Sequence, residues 1–274
     1  MVDLAVTDLP PIDHASLLAT FETTAIAAGR EILRIYDEGC DVALKDDKSP
    51  VTAADHAAEA IILEALRHAT PDIPIVAEEE ISGGHVPGDL GDRFYLVDPL
   101  DGTREFVNRN GDFTVNIALI EHGIPVLGIV YAPVRGWLFT GGPKGAQEVT
   151  IDPMGSVTTR NSISCRTAPK EMIAVASRSH RTPETDEYLK DFTIADCVSV
   201  GSSIKFGLLA RGEADIYPRL SRTMEWDTAA GDAVLRAAGG ITLTLDGKPL
   251  TYGRRNQAND ADFANPSFVA RGKL

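Results

Sequence analysis

A short apolar run ends on paired acids at Tyr95-Leu96-Val97-Asp98-Pro99-Leu100-Asp101-Gly102-Thr103, and no other segment constrains the chain so tightly. The apolar residues read as a strand, and the ends of strands expose side chains into the crevices where ligands bind. Pro99 fixes its own backbone and Gly102 permits a sharp turn. Two carboxylates aimed at one spot repel each other. A divalent cation removes that penalty, and a set of oxygen donors suits magnesium. In isolation the same residues also make an ordinary turn with both carboxylates in water, since Asp, Pro and Gly are common turn residues.

Three other acidic pieces bear on that choice. Ile75-Val76-Ala77-Glu78-Glu79-Glu80 is a second apolar run ending in carboxylates, which alone reads as a solvated acidic loop. Glu225-Trp226-Asp227 opens an Ala-rich helix, where Asp227 alone reads as an acid favoured by the helix dipole. Thr52-Ala53-Ala54-Asp55 alone reads as a capping box. Each piece is weak by itself; their joint order and chemistry are specific.

The net charge of −14 excludes a broad basic surface, so neither a nucleic-acid polymer nor an anionic membrane is an expected partner. An anionic substrate requires metal ions and a few local Lys or Arg residues to reverse the sign in one cleft. Cys40, Cys165 and Cys197 lie far apart and form no CxxC pair, which suggests neither a zinc site nor a disulfide framework. The acidic N-terminal residues lack the features of a signal peptide, and no stretch of about 18 apolar residues marks a membrane span. The expected location is the cytoplasm, with peripheral inner-membrane association left open.

Periodicity predicts a helix from an Asp13 cap to about Tyr36 and a second from about Ala53 to Ala69. Strands are predicted at Ile73 to Ala77, Phe94 to Val97, Phe113 to Ile120, Val126 to Tyr131, Trp137 to Thr140 and Met172 to Ala176. Helices follow at Ser202 to Arg211 and Thr228 to Ala238, and Ile241 to Leu245 reads as a late hairpin strand with an Asp246-Gly247 turn. Alternation of this kind argues a layered α/β or α+β fold. The Thr-, Ser-, Pro- and Gly-containing stretch from Thr150 to Arg166 suggests a sub-domain boundary, giving 1–155 and 156–274 within one catalytic unit.

Together the motifs resemble the inositol monophosphatase superfamily. The 95–103 run is similar to its metal-binding signature, and Glu225-Trp226-Asp227-Thr228-Ala229-Ala230-Gly231 to its second signature. Ser49-Pro50-Val51-Thr52-Ala53-Ala54-Asp55 and Ala77-Glu78-Glu79 match two shorter upstream motifs. Within the superfamily, Gly102-Thr103-Arg104-Glu105-Phe106 with Arg109 to Ile120 resembles the CysQ-like 3'(2'),5'-bisphosphate nucleotidase branch. So do Ser177-Arg178-Ser179-His180, Gly201-Ser202-Ser203-Ile204-Lys205-Phe206 and Tyr217-Pro218-Arg219. Arg104 stands where Lys is more usual, which keeps the charge and changes the geometry.

The resemblance implies an αβαβα sandwich of the sugar-phosphatase type. It implies a phosphomonoesterase that removes the 3'-phosphate of adenosine 3',5'-bisphosphate, a by-product of sulfate assimilation, and is sensitive to lithium. Glu78, Glu79, Asp98, Asp101, Asp227 and the Leu100 carbonyl are the implied ligands of two or three Mg2+ ions, with Mn2+ as a substitute. Asp55 and Thr103 are the implied catalytic pair. Gly102, Thr103, Arg178, Ser202, Ser203, Lys205, Arg219 and Asp227 are the implied substrate contacts. Without the resemblance, Lys205 reads as a surface charge and His180 as a loop residue. The competing readings are an inositol monophosphatase or fructose-1,6-bisphosphatase and, from a different class, a non-catalytic metal or phosphate sensor. The expected partner is a small phosphorylated metabolite. Family members are often dimers, but no residue pattern marks a dimer surface, so a homodimer stays open.

Overall fold

The computed structural model describes residues 9–39, 41–45, 50–177 and 182–273. Asp13 caps α1 (His14–Glu38), its carboxylate accepting from the N–H groups of Ala15 and Ser16. Leu17, Phe21, Ala25, Ala28, Ile32 and Ile35 are buried along one stripe of α1, as a helical period requires. After the short antiparallel pair β1 (Val42–Leu44) and β2 (Pro50–Thr52), α2 (Ala53–Ala69) begins with the expected capping box. Thr52 and Asp55 satisfy each other's backbone donors there.

The central element is a seven-stranded sheet in sequence order. β3 (Ile75–Ala77) leads into α3 (Glu78–Ser82), and β4 (Arg93–Asp101) leads into α4 (Thr103–Val107). β5 (Thr114–Glu121), β6 (Ile124–Ala132), β7 (Trp137–Gly142), β8 (Gly145–Ile151) and β9 (Val157–Ile163) complete it. Only β3 and β4 pair in parallel; the remaining neighbours are antiparallel.

The second sheet is five-stranded, ordered β11-β10-β12-β14-β13. Its elements are β10 (Met172–Ser177), α5 (Pro183–Leu189), β11 (Ile194–Val200), α6 (Ile204–Ala210), β12 (Ile216–Arg219), α7 (Ala229–Ala237), β13 (Ile241–Thr244) and β14 (Phe268–Arg271). α1 and α2 cover one face of the large sheet. α6 and α7 fill the space between the two sheets, and α5 packs against β12. The layers therefore run αβαβα. Helix α7 lies so close to the large sheet that a Cβ at Gly128 would come within 2.4 Å of the Ala230 carbonyl.

The Thr150-to-Arg166 stretch contains the end of β8 and all of β9, and the turn at 152–156 joins two strands of the same sheet. The chain leaves the large sheet only after Ile163. The Asp246-Gly247 turn is present, but the main partner of β13 is β14, more than 20 residues later. No described helix is long and apolar enough to cross a membrane.

Candidate active site

Strand β4 ends in a bulge that decides where its acids point. Asp98 pairs with Asn116 and Asp101 with Thr114, so three steps on one strand oppose two on the other. In a regular strand, residues three apart face opposite sides of the sheet. The extra residue, placed where Pro99 cannot donate to the ladder, restores the parity and lets both carboxylates converge. The Asp98 Oδ1 accepts from the Leu100 N–H at 3.0 Å, which holds the kink. Gly102 then takes φ +95, a conformation that favours glycine, and starts α4 with Thr103.

Asp227 joins them from the turn before α7. Asp98, Asp101 and Asp227 each offer a carboxylate oxygen, all within 4.8 Å of one another. Glu78, at the start of α3, faces the same cavity of about 470 Å³. Burial, then the charges of Glu78, Asp101 and Asp227, raise the Asp98 carboxyl well above the carboxylate range. Burial, then Asp101 and Glu78, push Asp227 up to about 8. Crowded buried carboxylates hold protons unless a cation joins them. The donor set consists of oxygens, which suits a hard divalent cation, so the residues fit a metal.

Beside this cluster, Thr103 donates its hydroxyl to Asp55 Oδ1 at 3.1 Å, with the Leu100 carbonyl 3.4 Å away. The other Asp55 oxygen accepts from the Thr52 N–H and hydroxyl, each at 2.8 Å. The capping box therefore also serves the site: it fixes one oxygen and leaves the other for Thr103. Burial raises the Asp55 carboxyl above its ordinary value, and the Thr52 and Thr103 bonds oppose that rise.

Two further groups, neither among the expected site residues, organise the Glu78-Glu79 corner. Lys45 Nζ lies 2.6 Å from both Glu78 Oε1 and Glu79 Oε1. Burial pulls this ammonium down, but the two carboxylates outweigh it and hold it above the ordinary lysine value. Glu59, one turn after Asp55 on α2, accepts the Glu79 N–H at 2.8 Å and is pushed up to about 7 by burial. Its i, i+4 spacing from Asp55 was a readable sign that both face the same way. Nothing in the polar loop around Lys45 marks it.

The opposite wall differs from a plain row of donors facing the substrate. Ser202, at φ +56, donates its hydroxyl to the Asp101 carbonyl. The Ser203 N–H donates to Asp101 Oδ2 at 2.7 Å, and its hydroxyl bonds Asn116 at 2.6 Å and Thr114 at 2.7 Å. Lys205 is 3% exposed, so it is not a surface charge. Its ammonium donates to the carbonyls of Ser202 and Val200 and lies 5.3 Å from the Tyr217 ring centre. Burial lowers it to about 8 while Asp101 opposes the drop. Arg219 donates to the carbonyls of Ser221 and Arg222. Lys205, Arg219, Leu100 and Arg104 all line the cavity, whereas Glu79 sits behind it. Arg178, with Ser179 and His180, lies outside the described residues.

Known proteins resemble this chain over nearly its whole length. The 3'(2'),5'-bisphosphate nucleotidase CysQ of Escherichia coli K12 is 45% identical over 245 residues, covering 88% of this chain and 94% of that protein. The crystal structure of CysQ from Bacteroides thetaiotaomicron, described as a bacterial member of the inositol monophosphatase family, is 37% identical. It superposes with a TM-score of 0.77 over 95% of this chain and 98% of that one. An inositol monophosphatase from Anabaena shares the fold at 24% identity, with a TM-score of 0.71 over 94% of this chain and 91% of that one. The model of the inositol monophosphatase family matches residues 13–270, and the chain belongs to that family.

Proposed function

We propose that the chain is a magnesium-dependent 3'(2'),5'-bisphosphate nucleotidase that hydrolyses the 3'-phosphate of adenosine 3',5'-bisphosphate, and its 5'-phosphosulfate counterpart as a second substrate. The observation that carries the proposal is the bulge in β4, which brings Asp98 and Asp101 to one side of the sheet, where Asp227 lies close by. The 45% identity to a nucleotidase supports the choice of substrate.

In this reading Glu78, Asp98, Asp101, Asp227 and the Leu100 carbonyl hold two or three magnesium ions, and Glu79 acts through water. The bound ions supply a water acidic enough to attack at neutral pH and positive charge for the leaving oxygen. Thr103 has its own hydroxyl proton committed to Asp55, so its oxygen is free to accept from the attacking water. Asp55 takes the proton that water loses. The backbone N–H groups of Gly102 and Thr103 face the phosphoryl oxygens. As the new P–O bond forms, the bond to the 3'-oxygen breaks and that oxygen takes a proton from solvent water, while the proton on Asp55 returns to solvent. Charge spreads over the phosphoryl oxygens in this transition state, so fixed positive groups do most of the work.

In this reading the remote phosphate lies toward Lys205 and Arg219, which line the same cavity as the acids; Arg178 stays a candidate from the resemblance alone. The product decides the matter. Incubation with adenosine 3',5'-bisphosphate and magnesium, followed by chromatography, should yield adenosine 5'-phosphate and one equivalent of inorganic phosphate. Adenosine 3'-phosphate as the product would reverse the assigned polarity, and no release would end the proposal.

A further inference from the structure

Asp227 is carried by a turn with its own local bonds, among them the Asp227 N–H to the Met224 carbonyl and the Thr228 N–H to the Glu225 carbonyl, each at 3.2 Å. The turn at 223–228 is gripped in addition by the segment at 253–265, which supplies none of the acids of the cluster. Backbone bonds run from the Glu225 N–H to the Phe263 carbonyl at 2.8 Å and from the Asn265 N–H to the Thr223 carbonyl at 2.9 Å. Met224 and Ala264 form an isolated antiparallel bridge between the two segments.

Two side chains complete the grip. The Glu225 carboxylate is fully buried and accepts the Gly253 N–H at 2.7 Å and the Arg254 N–H at 2.9 Å. The Asn265 amide nitrogen donates to the Met224 carbonyl at 2.6 Å and shares its second hydrogen between the Thr228 hydroxyl at 3.0 Å and the Thr223 hydroxyl at 3.2 Å. A carbonyl accepts only, so the amide nitrogen has to face Met224. Neither Glu225 nor Asn265 lines the cavity. Asp227, between their contact points, accepts the Met224 N–H on Oδ2 at 2.8 Å and offers a carboxylate oxygen to the cluster. The orientation of that carboxylate is held by Met224, and Met224 is held by Asn265.

We infer that Glu225 and Asn265 are positioning residues for Asp227, so that the 253–265 segment tunes metal affinity without touching the metal. The inference rests on the reading of Asp227 as a metal ligand. Removing partners of this kind typically weakens metal binding by about 10- to 100-fold. Buried carbonyls and N–H groups left unpaired would let the turn relax into the cavity.

The test is manganese binding to the substrate-free protein, followed by electron paramagnetic resonance. Asn265→Asp sets an acceptor against the Met224 carbonyl, and Glu225→Gln removes one of the two acceptors. Both should weaken manganese affinity roughly tenfold while near-ultraviolet circular dichroism stays native. Raised manganese should restore their turnover. Ile32→Val, a buried change on α1, should lower the melting temperature and leave the affinity alone. If Asn265→Asp does not fold, Asn265→Ser carries the test, because it keeps one donor. Folded Asn265 and Glu225 variants with wild-type affinity overturn the inference if Asp227→Asn loses a site. If Asp227→Asn binds manganese as the wild type does, the ligand reading itself fails and takes the inference with it.

Discussion

The two walls of the cavity balance their charges differently. On the acidic wall, three carboxylates crowd within 4.8 Å, and mutual repulsion adds to burial in raising Asp98 and Asp227. On the facing wall, Lys205 donates to the Val200 and Ser202 carbonyls and Arg219 to the Ser221 and Arg222 carbonyls. Ser203 is likewise held by Asn116 and Thr114. The first wall is electrostatically incomplete until a cation arrives. The second is braced before any ligand binds, and it braces the first through the Ser203 N–H on Asp101. Affinity for metal and affinity for substrate should therefore respond to different residues.

Asp98→Asn should break the acidic wall most severely. Turnover should nearly vanish and magnesium binding by calorimetry should weaken. The metal-free protein should melt at a higher temperature near neutral pH, because a carboxyl that has to take up a proton to be buried is replaced by a neutral amide. A variant with wild-type turnover at low magnesium would remove Asp98 from the ligand set. Thr103→Ala comes next. It leaves the carboxylates in place and removes the hydroxyl that meets the water, so kcat should fall by about 100-fold with KM changed less. A change confined to KM would limit Thr103 to binding.

Lys205→Met acts on the braced wall, keeping much of the side chain's bulk and removing its charge. KM for adenosine 3',5'-bisphosphate should rise roughly tenfold, the scale of one charge-assisted hydrogen bond, with kcat less affected. Inositol 1-phosphate, which lacks a remote phosphate, should hardly respond. An equal loss on both substrates would reduce Lys205 to a brace for Asp101.

The smallest expected effect is on stability against pH. Asp227 is raised from 3.8 to about 8, and Glu59 and Glu225 from 4.5 to about 7. A carboxyl raised in the folded state favours folding while it keeps its proton, so that stability is present at low pH and lost as pH rises through the folded value. The metal-free protein should lose melting temperature between about pH 4 and pH 8, and magnesium should protect it more at pH 8 than at pH 5. A melting temperature that rises across this range without metal would contradict the crowding of the acidic wall.

What the sequence made legible follows from the range of the interactions. α1, α2 and the capping box depend on spacings of a few residues, and so do the acids of the 95–103 run. The β8–β9 pairing in the Thr- and Ser-containing segment was not legible, because six of the seven β9 residues are exposed and carry no apolar alternation. Lys45 reaches Glu78 and Glu79 across more than 30 positions, and Glu225 reaches Gly253 across 28, so no local pattern announces either. The charge of Lys205 suggests the surface, but the structure places it in the core beside Asp101. Its burial between Tyr217 and the carbonyls of Val200 and Ser202 is a tertiary property.

The most direct measurement of the proposed activity is kcat/KM, with saturating magnesium, for adenosine 3',5'-bisphosphate, inositol 1-phosphate and fructose 1,6-bisphosphate on the wild-type protein. A preference for the adenosine bisphosphate, reduced by Lys205→Met through KM, is the expected result. A preference for either sugar phosphate would contradict the nucleotidase assignment.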